Sequence, residues 1–137
     1  MRKTIALTAV LTALMLASAI AGPVDIPQGA RCYECGMKVD PGSPYAAEIV
    51  AGGELLPFCD IGDMLVRYHK MENKPEGVYV RDQESGRWID ARQASFVRDA
   101  AGIKTPMGWG IAAFETAEAA AEKGAAMTFE DALKAVR

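Results

Sequence analysis

The chemistry available to this 137-residue chain is concentrated in sulfur. Cys32 and Cys35 stand in C-Y-E-C-G-M, which Met37 closes, and Cys59 follows in F-C-D-I-G-D-M. Such an arrangement admits a disulfide, a thiol redox pair, a structural zinc site or a soft-metal site. The odd count of three cysteines leaves at least one thiol unpaired in an oxidising compartment, or in use as a ligand.

A thioredoxin-like pair wants its first cysteine at a helix N-terminus, where the dipole lowers the thiol pKa. Pro41, Gly42 and Pro44 forbid a helix directly after Cys35. Structural zinc would draw on Cys32, Cys35, Cys59 and His69, a Cys₃His set. Helical spacing after Cys59 sets that cysteine and His69 roughly 15 Å apart along the axis, so zinc needs the helix to break. Otherwise His69 is an exposed or edge residue. Cu(I) prefers a few thiolates and thioethers converging from separate loops. Met37 lies two residues after Cys35, and Met107 stands in T-P-M-G-W-G, in a turn. Met64, spaced with Ile61 and Tyr68, reads as core. On spacing alone copper leads narrowly. A gap-filling Met107 and a zinc- or disulfide-stabilised module remain open, as does a thiol oxidoreductase. Asp60, Asp63, Asp82, Asp90 and Asp99 read as caps and turn residues. Trp109 reads as a packed strand residue, with metal screening as the alternative.

The segments around these groups divide into recognisable secondary structure. Residues 22–44 read as an extended arm and the cysteine loop. Gly52-Gly53 splits two apolar runs into a hairpin. Asp60 caps a helix carrying Ile61, Met64, Leu65 and Tyr68. G-V-Y-V-R-D is a strand, and a Ser-Gly turn precedes Trp88 and Ile89. A-S-F-V-R-D-A and G-W-G-I-A-A-F-E read as two further strands. A Thr116-capped alanine-rich helix closes at Gly124. Thr128 and Asp131 form a capping-box variant for the last helix. The expected class is α+β, with two similar hairpin–helix–strand halves at about 45–85 and 86–137 and helices packed on an antiparallel or mixed sheet.

Residues 1–21 have the anatomy of a secretory signal: a basic head, a short apolar core rich in Ala and Thr, and Ala19-Ile20-Ala21 before the cut. That core is too short to favour a stable membrane span. The formal net charge of −3 becomes −5 once Arg2 and Lys3 are removed. With no basic run after residue 21, nucleic acid and anionic membranes are poor partners. What remains is long enough for one domain with a hydrophobic core.

Five segments in order resemble the NosL-type accessory proteins of nitrous oxide reductase: C-Y-E-C-G-M at 32–37, F-C-D-I-G-D-M at 58–64, Y-V-R-D at 79–82, W-I-D-A-R-Q-A-S-F-V at 88–97 and P-M-G-W-G-I-A-A-F at 106–114. The resemblance implies two related α+β halves similar to an organomercurial-lyase-like domain. It implies an exported copper chaperone, not an enzyme. Cu(I) would pass from a copper donor protein or membrane exporter to the copper–sulfide centre of nitrous oxide reductase. The ligands it implies are Cys35 (or Cys32) and Met107, with Cys32, Met37 and Cys59 as secondary candidates. Many such proteins are lipoproteins. This chain has no cysteine after the signal core, so the expectation is a soluble periplasmic protein, with another copper enzyme as the alternative recipient.

Overall fold

The computed structural model describes residues 22–137, so the expected signal segment lies outside the described residues. Gly52 and Gly53 have φ of 61° and 78°, the doubly left-handed conformation that a type I′ turn demands and glycine tolerates. That turn joins β1 (Ala47–Ala51) to β2 (Glu54–Phe58) in register, with Ala51 opposite Glu54 and Ala47 opposite Phe58. The other edge of β1 pairs antiparallel with β3 (Gly77–Arg81), and β3 pairs with β4 (Trp88–Asp90). The sheet order is β2-β1-β3-β4. Between β2 and β3 runs α1 (Ile61–Lys70), started by Asp60 as N-cap.

A second, two-stranded sheet follows. β5 (Ser95–Arg98) pairs antiparallel with β6 (Ile111–Phe114), and Phe96 bridges Met127 on its other side. The short helix α2 (Ala117–Ala121) lies between β6 and Met127. Thus β5 has β6 and Met127 at its two edges, as β1 has β2 and β3. The chain ends in α3 (Phe129–Ala135), whose start carries the Thr128–Asp131 capping box. The two sheets meet where Gln83 N–H donates to Ala113 O at 2.8 Å.

The larger buried cluster serves both sheets, while Val97, Ala112, Phe114 and Ala120 form a smaller one on the other face of the β5–β6 pair. Ile49, Phe58, Ile61, Met64, Leu65, Val78 and Val80 pack with Phe96, Ile111 and Phe129. The expected α+β class holds, and so does the assignment of Met64 to the core. Among the described residues no helix is long and apolar enough to cross a membrane.

Two expectations need correction. Trp109 is not a strand residue: Gly108 and Gly110 have φ of 76° and 68°, a left-handed backbone that cannot continue a pleat, so β6 begins only at Ile111. The alanine-rich helix stops at Ala121, short of Gly124. Only Ala120 of its residues is buried, and helices this short depend on packing for their stability.

The N-terminal arm is anchored, not free. Ile26 is buried in the core, and Val24 N–H donates to Glu48 Oε1 at 2.7 Å. Glu48 sits on β1 with its side chain fully buried. That burial pushes its pKa up to about 7, against the Val24 hydrogen bond and the Arg81 charge, which lower it.

Candidate metal centre

The C-Y-E-C segment is folded into one tight turn. Cys32 N–H donates to Met37 O at 2.7 Å, Gly36 N–H to Cys32 O at 2.9 Å, and Arg31 and Lys38 face each other across an antiparallel bridge. Gly36 makes the closure possible with φ of 76°. Three contacts fix this loop to the body. Tyr33 N–H donates to Pro57 O at 2.8 Å, the Arg67 guanidinium lies 4.7 Å from the centre of the Tyr33 ring, and Glu34 pairs with Lys70. Cys32 is thereby buried and Cys35 half-buried.

Cys59 comes from a separate segment, at the joint between β2 and the α1 cap. Its Sγ lies 3.4 Å from Cys35 Sγ. Asp63, in the first turn of α1, completes the group. Its Oδ2 accepts the Cys32 thiol at 3.4 Å and, more weakly, the Cys59 thiol at 3.9 Å. One donor atom from each of Cys32, Cys35, Cys59 and Asp63 lies within 4.8 Å of the other three. Sulfur ligands about 2.3 Å from a common ion occupy a sphere about 4.6 Å across, so the cluster already has the dimensions of a coordination shell.

All three thiols are free. Burial, together with the neighbouring thiols, holds Cys59 far above the usual thiol range. Burial also raises Cys35, against a lowering backbone hydrogen bond at Met37. These two groups keep their protons until a cation supplies the compensating charge, so binding a soft metal here releases protons.

The first turn of α1 also holds the Met107 loop. Asp60 Oδ1 caps the helix by accepting Gly62 N–H at 3.0 Å, while Oδ2 accepts Met107 N–H at 2.8 Å. Asp63 Oδ1 accepts the indole N–H of Trp109 at 2.9 Å. The indole lies directly on Gly62, where a Cβ would fall 2.0 Å from Trp109 Cγ. Within the loop, Gly108 N–H donates to Thr105 O at 3.1 Å, so Pro106 and Met107 form the corner of a turn. The spacing D-I-G-D therefore brackets two loops: one carboxylate holds Met107 by its backbone, the other holds Trp109 and faces the thiols.

The structure brings three of the five sequence candidates, Cys32, Cys35 and Cys59, into one cluster. Met37 and Met107 are exposed on the two flanking loops, at 48% and 41%. The Cys₃His set is not assembled, because α1 runs unbroken to Lys70 and His69 Nε2 pairs with Leu133 O at 2.6 Å. Asp63, expected to be a cap or turn residue, belongs to the cluster as well. A signal for it existed, since Cys59 directly precedes the Asp60 cap and Asp63 stands at the third helical position, two places that lie close together at a helix start.

A model of the NosL family matches residues 23–135, and the chain belongs to that family. Among solved structures, the chain is similar to the crystal structure of the copper chaperone NosL from Shewanella denitrificans. The TM-score is 0.66 at 21% identity, over 80% of this chain and 96% of that one. At that identity the likeness is one of fold. No curated protein matches the sequence.

Proposed function

We propose that this chain is a periplasmic copper chaperone that takes up one Cu(I) ion and hands it to an apo-enzyme. The observation that carries the proposal is the convergence of three free thiols and one carboxylate within 4.8 Å. Soft thiolates favour cuprous ion, and the family membership and shared fold support the same assignment. Cys35, the half-buried thiol, is the principal ligand together with Met107. Cys32, Cys59 and Met37 retain and exchange the ion, and Asp63 keeps the buried thiols oriented. A two- or three-coordinate ion leaves room for an incoming ligand to bind before the outgoing one departs. Transfer therefore needs no opening of a closed four-ligand cage.

The recipient in this proposal is nitrous oxide reductase, at its copper–sulfide centre. The donor is a copper protein or membrane exporter, and residues 1–21 are removed on export. A structural-zinc role draws on one specific feature, the Asp63 oxygen as a fourth and harder donor to a tetrahedral site.

Anaerobic titration of residues 22–137 with Cu(I), against a chromophoric cuprous chelator, separates these functions. The chaperone should bind one equivalent, fold equally well without metal, and lose at least tenfold in affinity on Met107→Leu. A protein that unfolds with chelator and prefers Zn(II) would overturn the copper assignment. Incubating the loaded chain with copper-free reductase then tests delivery.

A further inference from the structure

We infer that Cys35 and Cys59 are the redox couple of this cluster: oxidation joins them in a disulfide that closes the site to metal, while the adjacent Cys32 stays a thiol. Spacing in the sequence favours the opposite pairing, because C-x-x-C cysteines are the customary partners. The geometry reverses that order. Cys35 Sγ and Cys59 Sγ are in contact at 3.4 Å, and a disulfide at about 2.05 Å needs them to approach by little more than an ångström. Cys32 is 3% exposed, and its S–H is directed onto Asp63 Oδ2. Cys35 is the only one of the three that is not fully buried, so an oxidant reaches it first.

With a small disulfide as oxidant, Cys35 thiolate attacks one sulfur and expels the other as a thiolate, leaving a mixed disulfide on Cys35. Cys59 thiolate then attacks Cys35 Sγ. The Cys35–Cys59 bond forms, the second small thiolate leaves, and the two protons from the protein end on the two released thiols. The protein pair loses two electrons and the oxidant gains them. After closure the cluster offers only Cys32 and Asp63. This consequence for metal rests on the copper proposal; the pairing itself does not.

The test treats residues 22–137 with excess oxidised glutathione, alkylates the remaining thiols with iodoacetamide, and maps tryptic peptides by mass spectrometry. Cleavage after Arg31, Lys38 and Arg67 puts Cys32 and Cys35 on one peptide and Cys59 on another. The expected product is peptide 32–38 linked to peptide 39–67, with Cys32 alkylated. Cys32→Ser should give the same link at a similar rate. Peptide 32–38 with an internal disulfide and Cys59 alkylated would overturn the inference, as would three alkylated thiols. The oxidised protein should bind Cu(I) at least a hundredfold more weakly, with recovery on reduction. If the link forms but the reduced chain also fails to bind copper, the copper proposal falls and the redox couple stands.

Discussion

Trp109 donates its indole N–H to Asp63 Oδ1 at 2.9 Å, and the other oxygen of the same carboxylate faces the thiols of Cys32 and Cys59. One side chain thus couples the cysteine cluster to the loop that presents Met107. When a cation replaces the thiol protons, Asp63 loses those donors and its contact with the indole changes. Cu(I) loading should therefore shift the emission of Trp109. Trp88, under the Arg81 guanidinium at 4.0 Å, is removed from that contact, so Trp88→Phe isolates the signal. Asp63→Ala should abolish the shift. It should also cost about 1–3 kcal/mol in a urea melt, by leaving a buried thiol and an indole N–H unpaired.

Asp60 has two separable duties. Asparagine caps helices as well as aspartate does, so Asp60→Asn should keep the Gly62 bond and most of the stability. Its amide nitrogen cannot accept Met107 N–H. Copper affinity should fall with the helix intact by circular dichroism, and the loss should not add to that of Met107→Leu. Full additivity would show that the tether does not act through Met107.

Gly62→Ala sets two effects against each other. Replacing a helical glycine gains up to about 1 kcal/mol in propensity. The new methyl would lie 2.0 Å from Trp109 Cγ, and overpacking of this kind costs about 1–3 kcal/mol. The clash should win. The variant should melt below the wild type, with Trp109 emission displaced toward that of an exposed indole.

Copper binding should tighten as pH rises. Cys35 and Cys59 are both held above the ordinary thiol range by burial, so they are protonated before loading and must release protons on binding. Each thiol ionised steepens the apparent affinity by about tenfold per pH unit below its pKa. Competition titrations from pH 6 to 8, with calorimetry in buffers of different ionisation heat, would count the protons.

Glu48 should make the fold less stable as pH rises from about 4.5 to about 7. Its carboxyl goes from 4.5 in the unfolded chain to about 7 when buried. The native state therefore holds the proton more tightly, and the contribution is present at low pH and lost as pH rises through the folded value. Arg81 and Asp25, the charged groups acting on it, oppose one another in sign. Glu48→Gln should flatten that portion of the pH–stability curve. At pH 8 it should gain on the order of 2 kcal/mol over the wild type in denaturant melts.

Adjacent residues alone dictated much of this protein. Gly52-Gly53 specified the first hairpin, Asp60 the start of α1, Thr128 and Asp131 the start of α3, and the cysteines marked the chemistry. In each case the cause, a permitted φ or a nearby hydrogen-bond acceptor, lies within a few residues of its effect. Tertiary packing decided the rest. Whether Cys35 meets Cys32 or Cys59 depends on how a loop seats against β2, across 24 positions. Asp63 became a neighbour of thiols because α1 leaves β2 beside that loop. It became the anchor of Trp109, 46 residues away, because β6 lies next to the same helix end. Trp109 left its expected strand because two left-handed glycines fold its loop back over Gly62. No local preference encodes such convergences, since they exist only once the shared core has fixed where the separate segments end.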